Sequence, residues 1–158
     1  MEDIYQLLDK LSIKYDKYEH PAVFTNEESD KICTDIPGKN TKNLFLADEK
    51  DQRFYLLTIM HGKRGDLKKF AMLVGERRLH FGNADYLKQL LNLTPGSVSP
   101  LGLMHDTNGK VKYFFDSDLL KEEKIYIHPG INTATLGIKL PDFKKFLNFT
   151  NHILNIYD

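Results

Sequence analysis

Tryptophan is absent from these 158 residues, and cysteine occurs once, at Cys33. A single thiol closes no internal disulfide, and without a C-x-x-C pair neither a redox motif nor a structural zinc site is expected; a reducing, cytoplasmic setting fits best. Net charge of one sign is lacking too. The 22 Lys and Arg balance the 22 Asp and Glu, so no global cationic field draws the chain to duplex DNA or to an anionic membrane. No run of about 18 apolar residues is present, which excludes a spanning helix. The acidic start, Met1-Glu2-Asp3-Ile4-Tyr5, predicts no secretory leader. Familiar signatures of nucleotide and hydrolase chemistry are missing as well: no G-x-G-x-x-G, no P-loop and no H-E-x-x-H, and Gly96-Ser97-Val98-Ser99-Pro100 is not a nucleophile elbow. The six histidines, at 20, 61, 80, 105, 128 and 152, never fall at local chelating spacings, so neither a metal nor a cofactor is expected.

What is present suffices for a packed core. With 41% hydrophobic, 11% aromatic and 28% charged residues, the chain predicts one domain over residues 1–158. Ile4, Leu7, Leu8 and Leu11 recur at helical spacing behind Glu2 and Asp3, whose charge suits a helix N-terminus. Tyr15–Glu19 reads as a strand, and Thr25-Asn26-Glu27-Glu28 as a capping box opening a helix that ends near Cys33. Asn43–Ala47 and Phe54–Met60 predict a hairpin of central strands. Helices are expected over Gly65–Val74, with Asp66 capping, and from Asn83 through Leu91. Val98–His105, the Asn108-Gly109 turn and Val111–Phe115 read as a second hairpin, and Lys124–His128 with Ile131–Leu140 as a third. From Pro141 the apolar rhythm Phe143, Phe146, Leu147, Thr150, Ile153, Leu154, Tyr157 predicts one helix to the end. The fold class is therefore α+β, with a mixed, mainly antiparallel sheet flanked by helices.

Four features exceed what a plain scaffold needs. Thr41-Lys42-Asn43 precedes the apolar Leu44-Phe45-Leu46, so Lys42 stands at a strand mouth, either as a solvated charge or as a fixed cation for a phosphate or polarised carbonyl. Pro95-Gly96-Ser97-Val98-Ser99-Pro100 is a stiffened loop, serving as a rigid connector or offering backbone donors to a ligand. Ile127-His128-Pro129-Gly130 and Asn132-Thr133-Ala134-Thr135 flank one turn and either satisfy it or line a cavity. Lys63, Arg64, Lys68, Lys69, Arg77 and Arg78 outweigh Asp66 and Glu76 in one stretch, which reads as solvated helix surface or as a local phosphate contact.

Taken together, Tyr18-Glu19-His20-Pro21 with Phe24-Thr25, Thr41-Lys42-Asn43-Leu44-Phe45-Leu46, Pro95–Pro100 with Gly102, and His128-Pro129 with Asn132–Thr135 resemble the YbaK/ProX family of aminoacyl-tRNA editing domains, and most of all its freestanding Ala-tRNA(Pro) deacylases. The resemblance implies trans-editing, the hydrolysis of the ester joining a wrong amino acid to tRNA. A pocket that accepts proline rejects the smaller alanine by only about 1–3 kcal/mol, so a second sieve must remove the error. It also implies that Lys42 holds the terminal nucleotide or its phosphate with Asn43 beside it. The loop from Gly96 to Pro100, with Ser97, Val98 and Ser99 between, is expected to present backbone groups to the aminoacyl end. The resemblance further implies that His128 shapes the aminoacyl pocket and that Asn132, Thr133, Ala134 and Thr135 line it, with His20, Phe24 and Leu101 as further candidates. Another mischarged tRNA, such as Cys-tRNA(Pro), or a non-catalytic role in binding tRNA or synthetase are the alternatives. The expected partners are the acceptor end of mischarged tRNA and prolyl-tRNA synthetase, with neither DNA nor membrane.

Overall fold

The computed structural model describes residues 3–19 and 41–158. His20, Phe24, Cys33 and the helix expected from Thr25 lie outside the described residues. Asp3 caps α1 (Ile4–Lys10) in a reciprocal box: its carboxylate accepts from the Gln6 amide at 2.8 Å, and the Gln6 side chain accepts from the Asp3 amide at 3.1 Å. Leu7 and Leu8 are thereby buried under two sheets.

The smaller sheet is antiparallel, in the order β1 (Tyr15–Glu19), β7 (Ala134–Lys139), β6 (Lys124–Ile127). The larger is mixed and runs β4 (Leu79–Phe81), β2 (Thr41–Asp48), β3 (Phe54–Met60), β5 (Val111–Asp116), β8 (Asn155–Tyr157). Its β2–β3 hairpin turns where the Asp48 carboxylate accepts from the Gln52 and Arg53 amides, both at 2.7 Å. Side chains of β2 and β3 alternate between two cores. Leu44, Leu46, Tyr55, Leu57 and Ile59 pack with Phe70 of α2 (Leu67–Val74) on one face. Phe45, Ala47, Phe54 and Leu56 join the main core on the other, with α1, α3 (Ala84–Leu91), α4 (Leu140–Phe149) and the smaller sheet. Both sheets and their helices give the expected α+β class.

Two expected elements differ. Residues 98–105 do not form the first arm of a hairpin: Pro100–His105 is a 3-10 helix whose Ser99 cap accepts from the Leu101 amide. Its apolar run is continuously buried from Pro100 to Leu103 rather than alternating, and proline offers no amide to a ladder. The Asn108-Gly109 turn does form, with Gly109 at φ 66°, but it delivers the chain to β5, which runs parallel to β3. Two hairpins therefore stand where three were expected. Nor does the last helix reach Tyr157. It stops at Phe149, where the Thr150 hydroxyl donates to the Leu147 carbonyl and Asn151 turns to φ 62°. Residues 155–157 then add β8 beside β5, leaving Ile153 76% exposed.

Candidate active site

Lys42 and Asn43 open β2, where the two sheets meet. Thr41 fixes that junction, donating its hydroxyl to the Tyr126 carbonyl at 2.5 Å, two residues before His128. The pleat then sends Lys42 and Asn43 to opposite faces. Lys42 shares the α2 face with Leu44 and Leu46, while Asn43 shares the main-core face with Phe45. Asn43 is half-buried, and its Oδ1 accepts from the hydroxyl of Thr58, directly opposite on β3. Thr58 in turn accepts from the Tyr113 phenol at 2.7 Å. Burial pushes that phenol far above its ordinary pKa, so it remains a protonated donor.

The loop before the 3-10 helix is sewn to the same place. Ser99 is fully buried, and its hydroxyl donates to the His128 carbonyl at 2.5 Å. His128 Nδ1 lies 2.9 Å from the Ala134 carbonyl; because a carbonyl only accepts, this contact puts the ring proton on Nδ1. Gly96 adopts φ 90°, which a side chain would resist. The Ser97 amide is spent on the Thr94 carbonyl at 3.0 Å, whereas the amides of Val98 and Ser99 donate to no described residue. β1 runs alongside, pairing Tyr18 with Thr135 and Glu19 with Ala134.

Three segments distant in sequence are thus brought together: Lys42-Asn43, Val98-Ser99, and His128 with Ala134-Thr135. Asn132 is half-buried and Thr133 exposed on the connecting turn. Leu101 and Pro100 point into the core, Leu101 being 2% exposed. Among the basic residues, Lys63 is committed elsewhere: its Nζ donates to Asp116 at 2.9 and 3.0 Å and to Asp118 at 2.9 Å. The hydrogen bond to Asp116 is the main reason its pKa rises. Lys69 sits 5.1 Å above the Tyr157 ring. Arg64, Lys68, Arg77 and Arg78 are exposed and form no ion pair with a described residue. Gly65 packs against Leu44 and Ile59, bringing Arg64 to the Lys42 face.

Thr58 and Tyr113, which support Asn43, carried no sequence signal. Each read as an ordinary strand residue, and only the pairing of β3 between β2 and β5 aligns them. No group of three or more potential metal ligands occurs among the described residues.

Comparison with known proteins gives this chain a family. The model of the aminoacyl-tRNA editing domain matches residues 20–146. The chain belongs to that family. It is 36% identical over 140 residues to the prolyl-tRNA editing protein ProX of Acetoanaerobium sticklandii, covering 89% of this chain and 85% of that protein. It is 35% identical over 154 residues to the mouse prolyl-tRNA synthetase associated domain-containing protein 1, covering 95% and 90%. A solved structure described as a candidate trans-editing enzyme for prolyl tRNA synthetase aligns at TM-score 0.69 and 25% identity over 96% of this chain and 90% of that one.

Proposed function

We propose that this editing domain acts in trans as an aminoacyl-tRNA deacylase, hydrolysing the ester of Ala-tRNA(Pro) to alanine and tRNA. The observation that carries the proposal is the double stitch, Thr41 to Tyr126 and Ser99 to His128, which ties the start of β2, with Lys42 and Asn43, and the Val98-Ser99 loop to the same segment around His128. Likeness to ProX supports prolyl-tRNA as the substrate class.

On this reading Lys42 holds the phosphate of the terminal nucleotide, with Arg64 and Lys68 continuing the cationic track on its face. The Val98 and Ser99 amides take the oxygen of the tetrahedral intermediate, where fixed donors act on charge that develops only during reaction. Water attacks the ester carbonyl carbon, with a ribose hydroxyl of the substrate as proton relay. The bond to the ribose oxygen breaks, and that oxygen leaves protonated. The protein's share is positioning and electrostatics. His128, Asn132 and Thr135 bound the aminoacyl pocket, its size admitting alanine, while Arg77 and Arg78 meet the acceptor stem. The test is amino-acid release from separately prepared Ala-, Cys- and Pro-tRNA(Pro). Release of alanine alone is expected; release of cysteine alone reassigns the pocket, and release of none leaves a binding module.

A further inference from the structure

Buried hydroxyls can set the direction of a hydrogen-bond chain, and one such chain ends at the site. Tyr113 is 1% exposed and Thr58 fully buried. Among the described residues the Tyr113 hydroxyl has one partner, Thr58 Oγ1 at 2.7 Å. Thr58 Oγ1 in turn lies 2.5 Å from Asn43 Oδ1.

Any polarity in which the Asn43 amide donates to Thr58 leaves one buried hydroxyl proton without an acceptor among the described residues, the threonine's if Tyr113 donates to it as well. If the Asn43 amide donated to Thr58 and Thr58 to Tyr113, the phenol proton would be buried without an acceptor, a costly loss. If the phenol donates to Thr58 and the threonine proton passes to Asn43 Oδ1, every hydroxyl is satisfied. That polarity fixes the amide, leaving Asn43 Nδ2 with two N–H donors that no described residue uses. We infer that Tyr113 and Thr58 are positioning residues that lock the Asn43 carboxamide as a donor, so that Asn43 meets an oxygen acceptor of the substrate, the ester carbonyl or a ribose oxygen, and not the α-ammonium.

The inference rests on the deacylase reading for its substrate and on the core geometry for its mechanism. A donor at Asn43 suits a carbonyl becoming an oxyanion, whose developing charge calls for fixed hydrogen-bond donors. A carboxylate at position 43 offers no donor and repels that charge.

The experiment compares wild type with Tyr113→Phe, Thr58→Val, Thr58→Ser and Asn43→Asp in two readouts, at a temperature where circular dichroism shows each fully folded. In alanine release from Ala-tRNA(Pro), Tyr113→Phe and Thr58→Val are expected to lower kcat roughly tenfold with KM little changed, because a loosened donor misplaces the transition state more than the substrate. Thr58→Ser restores the rate, and Asn43→Asp loses at least as much as Thr58→Val. In side-chain amide NMR, the Asn43 NH2 pair shifts and exchanges faster in Thr58→Val but not in Thr58→Ser. Wild-type kcat in Thr58→Val or Asn43→Asp would overturn the inference. If wild type itself releases no amino acid, the deacylase reading fails while the amide resonances still decide the lock: a change on Thr58→Val supports it, and identical spectra overturn it.

Discussion

One short 3-10 helix, Pro100–His105, carries two kinds of polar chemistry at its ends. At its C-terminal end the Asp106 carboxylate is consumed within the protein, accepting from the Lys110 and Val111 amides at 3.0 and 2.9 Å and lying 2.9 Å from His152 Nε2. The other nitrogen of His152 meets the Thr150 hydroxyl at 2.9 Å. At the N-terminal end Ser99 is just as buried and bonded, yet neither its own amide nor that of Val98 donates to a described residue. Polar groups whose capacity is filled internally hold the fold, whereas a rigid frame that leaves donors over is equipped to receive a ligand.

That contrast breaks most visibly at Asp106. Asp106→Ala strips two amides and a buried histidine of their acceptor and should cost about 3 kcal/mol. The melting temperature falls roughly 6–12 °C, while alanine release per folded molecule is retained. Calorimetry beside the release assay checks both, and loss of rate without loss of stability would erase the distinction between the ends.

Acid should act at the same place. Burial alone would raise the Asp106 pKa, but the hydrogen bonds from His152, Val111 and Lys110 outweigh it and hold the carboxyl below its ordinary 3.8. For Asp116 burial is likewise outweighed, by donors from Met60, Lys63 and Asp118. Groups depressed on folding contribute stability that is complete above the unfolded carboxylate range and lost as pH falls through the folded values. Thermal midpoints from pH 6 to pH 2 should therefore fall below about pH 4, less steeply in Asp106→Ala. A midpoint that rises on acidification refutes this.

Ser99→Ala sharpens the other end. It removes one donor to His128 and one cap, worth about 1–2 kcal/mol, but frees the loop carrying the unspent amides. Single-turnover release should drop roughly tenfold, a larger fractional effect than on stability.

Smallest of all is the effect expected on the outer surface. Arg77→Ala with Arg78→Ala should leave the melting temperature unchanged and reduce the salt slope of tRNA binding by about one or two. Lys63→Ala should do the reverse, because its ammonium already serves Asp116 and Asp118. Binding titrations between low and physiological salt separate the two.

The local code was legible where one segment decides its own structure. Asp66 and Asn83 cap α2 and α3 as their spacing predicted, and the β2–β3 and β6–β7 hairpins formed in place. What misled was context. Val98–Leu103 is as apolar as a strand, yet Pro100 and the Ser99 cap coil it. The helical rhythm past Phe149 yields to the Thr150-Asn151 stop and to the His152 bond with Asp106. At the site, motif residues such as Lys42, Ser99 and His128 stood out in the sequence. The Tyr113–Thr58 support did not, because it depends on β5 running parallel to β3, a pairing no local pattern announces.

On the proposed function, the junction of β2 with the Ser99 and His128 loops is the seat of ester hydrolysis, while the Asp106 end holds the helix in place. Alanine release from Ala-tRNA(Pro) by wild type, Lys42→Ala and Asp106→Ala, each with its melting temperature, tests it directly. Lys42→Ala is expected to lose roughly a hundredfold or more in rate at a nearly unchanged melting temperature, and Asp106→Ala to keep its rate below a lowered one. Release at the wild-type rate by folded Lys42→Ala would contradict it.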